Sequence, residues 1–173
     1  IEFENKNLTS DLFTRFPKSD IVDFKRGLDR IVWYEFSVGY EYSLALLDKD
    51  NNTLEIKFRD YFGLHSNYSK FYSELTNLIW EYYFTDIVNV DLDEIYNRND
   101  VELNGIKIGL NGIEFMDTRE MLDWKNLDFK EYLRYFAVHK TDNSIIHRTF
   151  NFNEWNSERL FCLIRTVKKE RGN

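Results

Sequence analysis

The same order of sequence patterns occurs twice in this chain, in positions about 85 residues apart. Residues 42–84 and residues 132–169 each contain two strand-like segments around a polar turn, followed by an amphipathic helical segment. Both predicted helices carry apolar residues at relative positions 0, +3, +4 and +7, which form one face of a helix. These residues are Leu75, Leu78, Ile79 and Tyr82 in the first helix, and Leu160, Leu163, Ile164 and Val167 in the second. The pattern therefore predicts two sheet-plus-helix units in tandem.

The predicted fold class is α+β, with two tandem antiparallel-sheet units that are each closed by a C-terminal amphipathic helix. We place the first unit at residues 1–88, a connector at residues 89–100 and the second unit at residues 101–173. The connector is rich in carboxylates and contains a short predicted helix at residues 92–96, so a solvated segment is expected there. Aromatic residues make up 17% of the 173 residues, which would give each unit enough apolar area for a core.

The first hairpin is predicted from its turn chemistry. Segments 42–47 and 53–58 flank five residues rich in Asp and Asn, whose side chains tolerate left-handed backbone and bond their own chain. In the second segment, apolar residues alternate with charged ones, which is typical of a strand with one buried face.

The second half begins with two Asn-Gly pairs, Asn104-Gly105 and Asn111-Gly112. Asn-Gly favours type I′ turns, because both turn residues need a positive φ, so a meander is expected here. The strands predicted outside the first hairpin are 21–24, 31–38, 101–103, 106–110, 113–116, 121–129, 132–139 and 145–152. A final helix should follow Asn156 and Ser157, since either side chain can cap a helix.

The chain is acidic, with a net charge of −7. An acidic surface repels the phosphates of nucleic acids and of anionic membranes, so neither is an expected partner. It favours a basic protein, because opposite charges steer association. The sequence has no run of 18 apolar residues, so a membrane would be reached only through a segment absent from this chain, and the expected location is cytoplasmic.

No pattern typical of an active site occurs in the sequence. The single cysteine, Cys162, excludes an intramolecular disulfide and a cysteine-based zinc site, and its apolar neighbours favour a buried thiol. The chain has no G-x-S-x-G, P-loop or G-x-G-x-x-G sequence. His139 and His147 flank one hairpin, and with Glu131 or Asp142 they would offer metal ligands, although their spacing is not specific. We predict no catalytic residue, no metal and no cofactor.

Several strands closed by one C-terminal helix are typical of a pleckstrin-homology-like unit. In the second half, Ile113-Glu114-Phe115, Leu122-Asp123-Trp124, residues 135–138, the strand to Phe152 and the helix at 158–167 follow in that order. The chain resembles the pleckstrin-homology-like superfamily in this respect, and its first half resembles the later part of such a unit. The resemblance implies a scaffold that binds lipids, peptides or proteins and is seldom catalytic. The first hairpin of the second half offers only Lys107, which disfavours phosphoinositide binding.

We interpret the chain as a non-catalytic protein-binding module. The sharper form of this hypothesis is an acidic inhibitor of a basic protein, such as the immunity protein of a bacterial toxin pair. The expected contacts are acidic residues of the first hairpin with two aromatic anchors: Asp48, Asp50, Glu55, Asp60, Tyr61 and Trp80. Two alternatives stay open, namely a soluble domain of a membrane-anchored bacterial protein and a metalloenzyme using His139 and His147. The sequence leaves the partner's identity and the oligomeric state undetermined.

Overall fold

The computed structural model describes residues 2–4, 13–15, 17–63 and 67–172, without the side chains of residues 2–4, 13–15 and 143–146. The rest of residues 1–16, at the start of the predicted first unit, lies outside this description. Two short antiparallel strands, Glu2–Glu4 (β1) and Phe13–Arg15 (β2), pair with each other near the amino terminus. The described chain is α+β, and all its sheets are antiparallel.

The first sheet has three strands in the order β3-β4-β5, comprising Ile21–Trp33, Phe36–Asp48 and Thr53–Tyr61. The predicted hairpin between the last two strands is confirmed. Its turn is held by the carboxylate of Asp48, which accepts the backbone N–H of Asp50 at 2.9 Å and that of Asn52 at 2.7 Å. This is the local bonding that Asp favours in turns.

The start of the first sheet differs from the prediction of two short strands at 21–24 and 31–38. β3 runs without interruption to Trp33, and the chain turns at Tyr34 and Glu35 into β4. Tyr34 has a φ of 54°, a left-handed conformation that a bulky residue seldom adopts. The predicted strand at 31–38 was wrong because this turn contains no Gly, Asn or Pro to mark it.

One long helical segment follows the first sheet. It consists of an α-helix at Tyr68–Ile79 (α1), a π-helical turn at Trp80–Phe84 and a second α-helix at Thr85–Tyr96 (α2). The hydroxyl of Thr85 donates to the carbonyl of Trp80 at 3.1 Å, across the π turn. The helix expected at 92–96 is present as the end of α2, but it begins at Thr85. The expectation of a solvated connector was wrong, because α2 buries Val88, Asp91 and Ile95.

The π turn changes which side of the helix faces the core. Before the π turn, every third or fourth side chain faces the core. The π turn contains one extra residue, so after it the inward-facing positions are shifted by one residue along the sequence. The series is Tyr72, Thr76, Ile79 and Tyr83, followed by Phe84, Val88, Asp91 and Ile95. Of the face predicted for the first helix, Ile79 is buried and Leu75 is half-buried, but Leu78 and Tyr82 are 60% and 58% exposed. The predicted face was therefore wrong for these two residues.

The second half contains a four-stranded sheet, a three-stranded sheet and a closing helix. The four-stranded sheet, in order β6-β7-β8-β9, comprises Val101–Leu103, Ile106–Gly109, Gly112–Phe115 and Glu120–Asp123. The three-stranded sheet, in order β10-β11-β12, comprises Leu127–Glu131, Tyr135–Lys140 and Asn143–Asn151. The helix, α3, spans Ser157–Arg171.

The turns of the second half agree with the prediction in part. Asn104 and Gly105 have φ values of 49° and 74°, as a type I′ turn requires. Gly112 instead opens β8 and pairs with Gly109, so the second turn consists of Leu110 and Asn111. The single strand predicted at 121–129 was also wrong, since residues 124–126 form a turn between β9 and β10.

The buried side chains of both halves form one continuous core. The predicted face of α3 is confirmed, because Leu160, Leu163, Ile164 and Val167 are all 0% exposed. The ring of Phe161 packs against those of Phe136 and others in the three-stranded sheet, and the opposite half of the molecule contacts α3 through β3 and α2. The closing helix of the second half therefore belongs to the core of both halves.

Candidate functional site

The two halves meet along the edge of β3. The backbone N–H of Arg26 donates to the carbonyl of Phe152 at 3.0 Å, just after β12 ends. Three residues nearer the start of β3, the carboxylate of Asp23 accepts the backbone N–H of Asn156 at 2.5 Å and that of Phe24 at 2.8 Å. These bonds align the segment before α3 with the first sheet.

Buried ion pairs reinforce this junction. Arg159 of α3 bonds both carboxylate oxygens of Asp91 in α2, at 2.8 and 3.0 Å. Arg26 of β3 pairs with Glu158 of α3 and, at 3.3 Å, with Glu131 of β10. Burial raises the pKa of Glu158 and of Asp91 above the ordinary values, although the arginines oppose the shift.

A cavity of about 400 Å³ lies at the junction, between the first sheet, α1 and α3. Arg26, Tyr72, Trp80 and Cys162 are among the residues that line it. Burial raises the pKa of the Tyr72 hydroxyl and of the Cys162 thiol to about 12, so both stay protonated at neutral pH. The tyrosine hydroxyl donates to the carbonyl of Gly27 at 3.1 Å. The lining therefore offers a protonated thiol and paired charges, which suit a structural junction better than a reactive site.

The residues predicted to bind a partner do not form one cluster. Asp48 and Asp50 lie at the turn before β5, whereas Asp60 and Tyr61 lie at its other end. A strand of this length separates its two ends by roughly 25 Å. Glu55 lies between them, and Trp80 lies in the long helical segment beside the cavity.

The charges of the first hairpin are also largely balanced. Lys57 pairs with Glu55 at 2.9 Å, and Arg59 pairs with Glu41 of β4 at 2.5 Å. Asp60 is only 8% exposed, so its carboxylate is not presented on the surface. The hairpin therefore does not present the surplus of negative charge that its acidic residues predicted.

A different surface combines exposed apolar side chains with surplus negative charge. Phe71, Leu78 and Tyr82 lie on one side of the helical segment and are 51%, 60% and 58% exposed. Glu74 and Glu81 lie beside them and are exposed as well. We call these five residues the helix face. Residues 68–96 contain six carboxylates and one lysine, a signal that was present in the sequence.

The tip of the hairpin between β3 and β4 is a second exposed apolar surface. Its side chains, Val32, Trp33, Tyr34 and Phe36, are between 56% and 87% exposed. They extend beyond β5, whose pairing with β4 ends at Gly39. The nearest charged residues have opposite signs, so the tip lacks the negative surplus of the helix face.

His139 and His147 are direct neighbours across the β11–β12 hairpin, as their spacing predicted. The Nε2 atom of His139 lies 3.9 Å from a carboxylate oxygen of Asp128. Within the part of the chain that the structure describes, no group of three or more His, Cys, Asp and Glu side chains is placed to hold a metal ion. Across the same residues, no helix combines the length and apolar character needed to span a bilayer.

Comparison of the chain with protein-family models, with curated proteins and with solved structures finds no match.

Proposed function

We propose that this protein is a non-catalytic binding module that recognises a basic protein through the helix face. The observation that carries the proposal is the exposure of Phe71, Leu78 and Tyr82 beside Glu74 and Glu81. An apolar centre with a charged rim is the usual composition of a protein interface. The ring of Phe71 contacts Phe58 of β5, but about half or more of each of the three side chains stays in solvent, and an exposed apolar cluster of this kind is typical of an interaction site.

Charge favours a basic partner over other proteins. Within the described residues Glu81 has no ion pair, and Glu74 has only a 3.7 Å contact with Lys70. The carboxylates near the end of α2, Asp93 and Glu94, lie where the helix dipole disfavours negative charge. Such a surface would speed association with a positively charged protein, as an inhibitor or immunity protein requires.

The finer fold assignment is part of the proposal. Residues 101–171 have four strands, three strands and a closing helix in sequence, which supports a pleckstrin-homology-like unit. Residues 21–96 have a three-stranded meander followed by a helix, which supports a second, shorter unit of the same kind. A scaffold of this kind would hold the helix face rigidly on one side of the molecule.

The test is affinity capture from the source organism with the wild-type protein and with helix-face variants. We expect one stoichiometric basic protein, and we expect Leu78→Ser and Tyr82→Ser each to weaken its affinity at least tenfold, about 1.4 kcal/mol. The double variant Glu74→Gln/Glu81→Gln should mainly slow association and reduce its dependence on salt.

Met121→Ser and Glu102→Gln are the matched controls. Both residues are exposed and lie in the four-stranded sheet, away from the helix face. Each should bind the partner as the wild type does. The proposal fails if the captured protein is acidic, or if its affinity is unchanged by the helix-face variants.

A further inference from the structure

The outer edge of β5 is long and regular. β5 is the last strand of its sheet, and its nine residues pair with β4 without any register shift. Among the described residues, no further strand pairs with it. A straight edge strand presents a row of backbone N–H and C=O groups that another strand can use.

The opposite edge of the same sheet is covered. In β3, the backbone N–H of Arg26 donates to the carbonyl of Phe152, and the carboxylate of Asp23 accepts the backbone N–H of Asn156. The pairing of β3 with β4 is interrupted by two register shifts. Bulges and covering segments are the usual protection of edge strands. β5 shows neither among the residues described, so its backbone edge is open to pairing, and its exposed charges, Glu55, Lys57 and Arg59, select which strand can pair with it.

The side chains of β5 are complementary to a second copy of the same strand. Leu54, Ile56 and Phe58 are half-buried on the inner side, while Glu55 and Lys57 are exposed on the outer side. If two copies pair antiparallel about Ile56, each Glu55 faces Lys57 of the second copy, and each Leu54 faces Phe58. Opposite charges and apolar pairs directly across two strands stabilise a sheet.

We propose that the protein forms a symmetric homodimer in which two β5 strands join the sheets into one continuous six-stranded sheet. The contact is isologous, so each pair of facing residues occurs twice in the interface. One charge substitution therefore changes two ion pairs. The proposal does not depend on the helix face or on its basic partner. Four alternating charges, two from each copy, set the register of the two strands.

Charge reversal tests both the dimer and its register by sedimentation equilibrium. The wild type should have twice the mass of one chain. Glu55→Lys sets the introduced lysine against Lys57 of the second copy, and Lys57→Glu sets two carboxylates together. Each variant should raise the dimer dissociation constant at least tenfold, while circular dichroism shows an unchanged fold. Lys125→Glu, an exposed lysine between β9 and β10, is the control and should remain dimeric.

Mixing the two single variants is the decisive measurement. Every outer pair then joins opposite charges again, so the mixture should form a one-to-one heterodimer although each variant alone is monomeric. A monomeric wild type would overturn the proposal. Single variants that remain dimeric, or a mixture that remains monomeric, would show equally that β5 does not pair in this register.

Discussion

At the scale of single residues, charged side chains in the core connect the two halves. Glu158 is almost fully buried against Arg26, and Asp91 against Arg159. Removing charges from water is costly, and a buried pair recovers this cost only when its geometry and hydrogen bonds are good. These pairs therefore serve to align α3 with β3 and α2, and their net stabilisation is small. Removing one partner would leave a buried charge uncompensated.

The pH dependence of stability follows from the same carboxylates. Burial raises the pKa of Asp23, Asp91 and Glu158 above the unfolded values of 3.8 and 4.5, so the folded protein holds their protons more tightly. Their favourable contribution is complete below those unfolded values and is lost as the pH rises through the raised pKa values. Hydrogen bonds lower the pKa values of Asp20, Asp48 and Asp117 below 3.8, so their favourable contribution is present above pH 3.8 and is lost as the pH falls below it.

We therefore predict that the free energy of unfolding falls as the pH rises above the unfolded pKa values of 3.8 and 4.5. Each raised group contributes at most about 1.4 kcal/mol per pH unit. Glu158→Gln should flatten this dependence, because glutamine does not titrate and can still accept a hydrogen bond from Arg26. Urea unfolding at several pH values measures the slope, with the exposed Glu102→Gln as control. A slope that is flat, or that Glu158→Gln does not change, would contradict the prediction.

At the scale of elements, the two amphipathic helices have nearly the same pattern but different environments. α3 is covered on its apolar face by its own sheet and by the first half of the molecule. The long helical segment faces the core through the side of α1 that carries Ile79, so Phe71 and Leu78 stay in solvent, and its inward side changes again at the π turn. A π turn inserts one residue into a helix and commonly occurs at functional positions.

Leu78 and Leu163 provide a matched comparison, since they occupy equivalent positions 85 residues apart. Leu163→Ala should lower the free energy of unfolding by about 2–5 kcal/mol, because it leaves a cavity in the core. Leu78→Ala should change it by less than about 0.5 kcal/mol, because the side chain is already exposed to solvent. Urea titrations of both variants measure the difference. Equal losses would mean that Leu78 packs in the core.

At the scale of the whole molecule, one core extends through both halves. The buried cluster includes Leu44 of the first sheet, Ile95 of α2, Ile108 of the four-stranded sheet and Leu163 of α3. Two separate units would each have needed a core of their own. Because side chains of both halves exclude water from the same interior, loss of either half exposes the apolar surface of the other.

This continuity predicts a single cooperative unfolding transition. Trp33 and Trp80 lie in the first half, and Trp124 and Trp155 lie in the second, so fluorescence observes both. Urea curves from tryptophan fluorescence and from far-ultraviolet circular dichroism should coincide. Two separated transitions, or curves with different midpoints, would instead indicate units that unfold independently.

Local signals predicted a substantial part of this fold. The turn at Asp48, the turn at Asn104-Gly105 and the buried face of α3 depend on residues within one turn or one helix, so sequence alone determined them. The turn at Tyr34 and Glu35 was not predicted because strong strand formers, residues 31–33 and Phe36, lie on both sides of it. The π turn escaped as well, since Trp80–Phe84 has no residue that interrupts a helix.

The sequence predicted the candidate site less well than it predicted the fold. The predicted acidic hairpin contains one ion pair within β5 and one between β4 and β5 that largely neutralise it, and the predicted core included Leu78 and Tyr82 of the helix face. The buried pairs join residues 68 and 132 positions apart, a separation over which sequence patterns carry no information. Sequence alone determined where helices, strands and charges lie along the chain. Only the tertiary structure decided which apolar face stays in water, because burial depends on what packs against a helix as well as on the helix itself.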